Sequence, residues 1–334
     1  MHGTPLTMRT WMGHLLLMSA TRKNVVRVLL GLLGALVLTA ALLVAFGWPA
    51  STRRAQGAAP GRVSSMSALE SVIDAPGPIT VETVVGAHWQ IDRAGVIDLS
   101  DPRAASLSPG LEPIEVDFHA LRHPTRGMLL IDTGVERALF DDPEHAAIRG
   151  IVASAGGIDR MERITDTASW LARQPGPPSA VLLTHLHLDH VSGLPDVPRD
   201  VPVFLGAGDL ESRAAMDLLT QPSVDRALGS HPLSEWSFDH EGVVDVLEDG
   251  TLWAIAVPGH TRGSVAFVAR TPDGPVLFTG DVSHTAWGWT HDVAPGDYTE
   301  DHAANLAALR MLRALAARHP GMQIRLGHQP IDAN

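Results

Sequence analysis

Ala180-Val-Leu-Leu-Thr184-His185-Leu-His187-Leu-Asp189-His190-Val-Ser-Gly193-Leu194 is the stretch on which the fold turns. Ala180–Leu183 has the length and composition of a buried strand, Thr184 ends it, and a polar loop with a glycine turn follows. Side chains two apart in extended chain share a face, so His185 and His187 can bind one cation. Asp189 and His190 are neighbours whose side chains diverge, which suits a second cation close by. Imidazole nitrogen and carboxylate oxygen are good ligands for Zn2+, and also for Mn2+, Fe2+ or Co2+. A single loop histidine is ordinarily a surface or hydrogen-bonded residue. Three histidines and an aspartate within six residues, just beyond an apolar strand, read as a metal site.

A pair of cations needs more ligands, and three further strand ends offer them. Thr251–Val257 runs into Pro258-Gly259-His260-Thr261. Val276–Phe278 runs into Thr279-Gly280-Asp281, and Ile324–Leu326 into Gly327-His328-Gln329. Each places one His or Asp beside a glycine that permits close backbone approach. Apolar runs at Ile79–Val85, Ile114–Leu121, Met128–Ile131, Val201–Leu205 and Val265–Ala269 also read as strands. Helices are expected over Asp159–Arg173, Asp209–Leu219 and Thr299–His319, the last with Thr299 as N-cap and Leu306, Leu309, Leu312 and Ala316 on one face. Strands interleaved with helices imply a mixed, layered α/β fold.

The succession HLHLDH, PGHT, FTGD and LGHQ, with Leu130-Ile131-Asp132-Thr133-Gly134 before it, resembles the motif pattern of the metallo-β-lactamase superfamily over residues 76–330. The resemblance implies a four-layer αβ/βα sandwich with the metal site at one edge. It implies that His185, His187 and His260 bind a first metal, Asp189, His190 and His328 a second, and that Asp281 bridges them. Asp132 would then brace the site, although a turn-forming aspartate before glycine explains it equally well. Two divalent ions, most simply Zn2+, about 3.5–4 Å apart would hold a hydroxide that attacks an ester-type carbonyl, with Asp189 helping to orient it.

Within the superfamily, a bridging Asp281 points away from the true β-lactamases, and His187 away from the flavo-diiron oxidoreductases. The closest pattern is that of the N-acyl-homoserine lactonases, through His123–Gly134 and the helix before Leu326-Gly-His328. Those enzymes carry a tyrosine three residues after the bridging aspartate, where this chain has His284. His284 is therefore a catalytic candidate, able to donate a hydrogen bond or proton in that place, unless it is an exposed loop residue. Trp287 and Trp289 are candidates for an apolar substrate wall or for a tuck against the core; His291 and Tyr298 share that segment and its pocket rim. His119, His231, His240, His302 and His319 lack such context and read as surface or structural. Glyoxalase II-type thioester hydrolysis, phosphodiesterase and β-lactamase chemistry are the alternatives, with a membrane-tethered binding protein or a redox enzyme of the same fold behind them.

Charge and composition set further bounds. Residues 1–62 hold seven basic residues and no acid, while the whole chain is −12, so residues 63–334 carry −19. A domain so acidic repels a phosphate backbone, which argues for a small-molecule substrate and against nucleic acid. The absence of cysteine excludes disulfides, a thiolate nucleophile and thiolate ligands. Val28–Trp48 is a 21-residue stretch without charge, roughly 30 Å as a helix and one bilayer core in length. We therefore expect a short N-terminal segment (1–24), a transmembrane anchor or uncleaved signal (25–48) that meets the membrane through residues 28–48, a flexible linker (49–75) and a hydrolase domain (76–334) outside the cytoplasm. A signal peptide cleaved near Pro49-Ala50-Ser51, leaving a secreted or periplasmic enzyme, is the alternative.

Overall fold

A computed structural model of the chain describes residues 24–41, 51–212, 215–240 and 242–331. The chain divides into two units, Met1–Pro49 and Ala50–Asn334. In the first, Asn24–Ala41 forms an 18-residue helix long and apolar enough to cross a membrane, a test that a signal sequence also passes. The expected span ran on to Trp48; residues 42–48 of it lie outside the described residues.

In the second unit the described strands form two sheets. One is seven-stranded, in the order β5-β2-β3-β4-β6-β7-β8: β2 (Thr80–Asp92), β3 (Leu111–His123), β4 (Gly127–Ile131), β5 (Glu162–Arg163), β6 (Ala180–Leu182), β7 (Val203–Gly206) and β8 (Leu233–Trp236). The other runs β1-β9-β10-β11-β12-β13: β1 (Arg62–Ser64), β9 (Val243–Asp245), β10 (Leu252–Ala256), β11 (Val265–Thr271), β12 (Gly274–Phe278) and β13 (Gln323–Arg325). Alternation along the strands builds the layers. Leu129, Ile131 and Leu182 face Ala254, Phe267 and Phe278 between the sheets. Leu130, Val181 and Leu183 turn outward onto Trp170 and the helix Ala215–Leu228. Trp253, Ile255 and Val268 turn outward onto Leu309, Leu312 and Leu315 of the helix His302–Arg318. Helix, sheet, sheet, helix is the expected four-layer sandwich.

Three expectations are corrected. Residues 49–75 do not form a flexible linker from Ser51 onward. Ser51 Oγ donates to Asp225 at 2.5 Å, Gln56 and Ala59 donate backbone N–H groups to Leu233 and Glu235 of β8, and β1 pairs with β9. Leu69 and Ile73, in and after the helix Met66–Val72, are fully buried. Edge strands leave backbone groups unpaired, and this segment covers an edge of each sheet, which its Pro/Ala/Gly/Ser composition does not announce. Asp159–Arg173 is not one helix. The Ile164 and Thr165 N–H groups are drawn to the Gly86 carbonyl beside β5, leaving a 3-10 turn at Ile158–Arg160 and an α-helix at Thr167–Leu171, capped by Asp166. The Asp209–Leu219 helix begins instead at Ala215 after a tight turn at Asp209–Glu211, and runs to Leu228.

Candidate metal centre

The loops that follow β4, β6, β10, β12 and β13 converge at one edge of the sandwich. Two groups of donors meet there: His185, His187, His260 and Asp281, and Asp189, His190, His328 and Asp281, the donor atoms of each group lying within 4.8 Å of one another. The Oδ2 atom of Asp281 is the shared point. It lies 3.6 Å from His185 Nε2, 3.4 Å from His260 Nε2, 3.3 Å from both His190 and His328 Nε2, and 3.0 Å from His284 Nε2. His260 Nε2 is 2.9 Å from His187 Nδ1, and His328 Nε2 is 3.2 Å from Asp189 Oδ2. Two ligands of one tetrahedral zinc at about 2.0–2.1 Å stand about 3.3 Å apart, so these separations suit shared cations. His185 Nε2 and Asp281 Oδ1 are buried without a hydrogen-bond partner, a costly arrangement that a cation relieves. The donor set fits two divalent ions.

Each inward nitrogen is aimed by what holds the other ring nitrogen. Asp132 sits in the left-handed region at φ 58°, a conformation aspartate tolerates, and there its carboxylate accepts from Thr184 N–H and Thr184 Oγ1, both at 2.8 Å. The same carboxylate accepts from His190 Nδ1 at 2.8 Å. Since Thr184 Oγ1 donates to Asp132, it accepts from His185 Nδ1, 3.1 Å away. His328 Nδ1 donates to the Glu115 carbonyl at 2.8 Å, and His260 Nδ1 is 3.3 Å from Thr299 Oγ1. These bonds fix the tautomer that leaves Nε2 free for a cation. Asp132 is thus a brace, beyond any turn it forms. Gly327 is required beside Asp281, because a Cβ there would come within 2.0 Å of Asp281 Oδ1.

Burial and charge split the histidines. His185 and His260 are held well below the usual imidazole range by burial, reinforced by neighbouring histidines. Burial also opposes charge on His190 and His328, but Asp281 and the other carboxylates around them overcome it and hold both well above that range; the same negative charge would favour a cation in place of the proton at Nε2. Burial opposes charge on Asp189 and Asp281 as well, but the imidazoles facing them hold both below the usual carboxylate range. Solvent reaches the centre from one side: His187, Leu188 and Asp189 are partly exposed, while the other donors are buried.

His284 lies inside this centre, 3% exposed, stacked on His328, with Nδ1 unpartnered. Trp287 and Trp289 are partly buried against two core clusters, Trp287 stacking on His291 at 4.2 Å, so the tuck describes them better than an open wall. Tyr298 packs in the same cluster as Trp287, against Gly95. His119 is buried against Phe278, and burial pushes its imidazole down to about 3. His231 is held by the Val201 and Leu194 carbonyls, His319 is buried beside Asp74, and His302 is exposed at a helix start. Sequence reading missed Thr184 and Thr299 as partners of ligands. Thr299 was expected to cap the helix; Asp301 does so, accepting from Ala304 N–H, which leaves Thr299 to His260.

The profile of the metallo-beta-lactamase superfamily matches residues 120–328. An N-acyl homoserine lactonase AttM of Rhizobium johnstonii is 28% identical over 229 residues, 65% of this chain and 82% of that protein. A hydroxyacylglutathione hydrolase of Pseudomonas putida is 31% identical over 192 residues, 57% of this chain and 60% of that protein. Among solved structures, a quorum-quenching N-acyl homoserine lactone lactonase superposes with a TM-score of 0.56 at 18% identity, covering 76% of this chain and 93% of that one. AidC, a dizinc quorum-quenching lactonase, gives a TM-score of 0.52 at 12% identity, covering 77% and 90%.

Proposed function

The chain belongs to the metallo-β-lactamase superfamily, and from that premise we propose that it is a two-metal lactonase. One observation carries the reading: two sets of three donors close on the single carboxylate of Asp281. His185, His187 and His260 would hold the first ion, Asp189, His190 and His328 the second, with Asp281 shared. Bound divalent ions supply Lewis acidity and make water a nucleophile at neutral pH. Asp189, held below the usual carboxylate range by His190 and His328 despite burial and lying on the solvent side, is placed to orient an attacking water by accepting its hydrogen bond. His284 Nε2 lies 3.0 Å from Asp281 Oδ2, placed to hold the shared carboxylate at the reacting centre.

Ester rather than amide chemistry is supported by the lactonase relatives, which this chain covers over 82% of their length, against 60% for the thioesterase. The exposed side also favours an apolar substrate: Leu188, between His187 and Asp189, packs against the same core cluster as Trp89, Phe140, Ile158 and Met161. The helix Asn24–Ala41, about 27 Å long, supports a membrane anchor, and the hydrolase domain would then lie outside the cytoplasm. A C-terminal reporter active only outside the cytoplasm tests that placement.

The test is a hydrolysis screen of the full, zinc-loaded chain against lactones, thioesters, β-lactams and phosphodiesters. Lactone opening, read as proton release, should lead. His284→Ala should lower kcat about a hundredfold while bound metal stays at two per chain. A screen in which thioesters lead would replace lactonase by thioesterase, and loss of metal in His284→Ala would make that residue a ligand.

A further inference from the structure

The loops bearing the first half of the centre come from different sheets. His185 and His187 follow β6, and His260 follows β10. Among the described residues, one side chain outside the seven ligands ties both loops by the backbone. Asp209, in the turn after β7, is 2% exposed. Its Oδ2 accepts the N–H of Leu186, the residue between His185 and His187, at 3.1 Å. Its Oδ1 accepts the N–H of Gly263, three residues past His260, at 2.6 Å. Gly263 makes this approach possible, since a Cβ there would fall 2.7 Å from Asp209 Oδ1. The two loops also meet directly, Val265 N–H donating to the Thr184 carbonyl at 2.8 Å.

We propose that Asp209 is a positioning residue for the first metal position, setting the spacing of His185 and His187 against His260 before any ion arrives. The chemistry requires a carboxylate. Two N–H donors converge on two acceptor oxygens, and an amide would offer one oxygen and turn an NH2 donor against the second N–H. A buried carboxylate with two backbone donors is also fixed more firmly than a neutral acceptor. Both of these bonds run to the loops of His185, His187 and His260, whereas His190 and His328 are braced by Asp132 and the Glu115 carbonyl. The two bonds therefore act on the first half.

The inference rests on the two-metal reading, and the experiment separates the two. Full-length wild type, stripped of metal, is titrated with Co2+, following d–d absorption and bound metal by mass spectrometry. His260→Ala and His328→Ala supply reference spectra for loss of either position. Asp209→Asn should weaken one position about 10- to 100-fold, and its spectrum at limiting Co2+ should match that of His260→Ala. Asp209→Glu, which keeps both oxygens, should recover part of the affinity. Wild type binding a single Co2+ would sink the two-metal reading. Two sites of unchanged affinity in Asp209→Asn, or equal loss at both, would overturn the role of Asp209. Should that variant not fold, amide hydrogen exchange in metal-free wild type decides: Leu186 and Gly263 amides protected together support the bracing, and free exchange at either refutes it.

Discussion

The two halves of the centre meet at Asp281 and at Thr184, whose hydroxyl lies 3.1 Å from His185 Nδ1 and 3.3 Å from His190 Nδ1, but their other surroundings differ. In the first, His185 and His260 are buried, held well below the usual imidazole range by that burial, and backed by the hydroxyls of Thr184 and Thr299. In the second, His190 and His328 are backed by a carboxylate and a carbonyl and face Asp189 and Asp281. Charge concentrates on the second half, geometry on the first. The difference teaches that a neutral hydroxyl or carbonyl suffices to aim His185, His260 and His328, whereas only His190 has a carboxylate behind it. Behind the first half stands the helix His302–Arg318, with Leu309, Leu312 and Leu315 fully buried. Behind the second stands the irregular loop from Asp132 to Glu136, whose left-handed residues Asp132 and Gly134 no helix could accommodate.

The largest effect should come from removing what the halves share. Asp281→Ala leaves His185, His190, His260, His284 and His328 without the oxygen around which they gather. Loss of several kcal/mol of charge stabilisation corresponds to at least about a thousandfold in kcat. Steady-state turnover of the best substrate from the screen checks it; activity within tenfold of wild type would mean the halves work independently.

Next is the ionic brace. Asp132→Asn keeps an oxygen but removes the charge that faces His190 Nδ1 and the second acceptor that Thr184 uses. Affinity at the second position should fall about 10- to 100-fold, with the first changing less. Because Thr184 also touches His185, some loss there is expected. Equal losses at both positions, measured by competition with a chelator, would erase the contrast drawn between the halves.

The neutral brace should matter less. Thr299→Val preserves shape and removes only the hydroxyl 3.3 Å from His260 Nδ1. A hydrogen bond of this kind contributes about 0.5–1.5 kcal/mol, so first-position affinity should drop a few-fold, to roughly tenfold at most. A larger loss than in Asp132→Asn would invert the ranking.

What the sequence made legible follows the same division. The ligands were readable because ligand chemistry is local: His185 to His190 fall within one loop, and His260, Asp281 and His328 each follow an apolar strand. All nine expected strands are present, since their apolar runs are bounded by Gly, Pro and Asp. The braces were not readable. Thr184 and Thr299 look like loop-edge threonines, Asp209 like a helix start, and Glu115 contributes a carbonyl that carries no residue signature. β1, β5, β8 and β9 are two to four residues long, too short for a period to show. The docking of residues 51–64 depends on edges presented by strands some 180 positions away, which local composition does not encode. His284 was placed at the centre by resemblance, but its contact with Asp281 required the fold.

The smallest effect concerns the loop behind the second half. Glu136 is buried, and burial pushes its carboxyl up to about 7, although the Ala147 N–H at 2.6 Å favours the charged form. Unfolded, the same group titrates near the ordinary glutamate value. Between those two values the folded protein binds the proton and the unfolded chain does not, so folding stability falls as pH rises through that window. Below it both states are protonated and the contribution is fully present. Glu136→Gln removes the titration while keeping an oxygen for Ala147. Melting temperatures of metal-free protein between pH 5 and pH 8 should therefore decline less steeply in Glu136→Gln than in wild type. Parallel slopes would show that the loop carrying Asp132 is not tuned by this carboxyl, and that the asymmetry of the centre ends at its own ligands and braces.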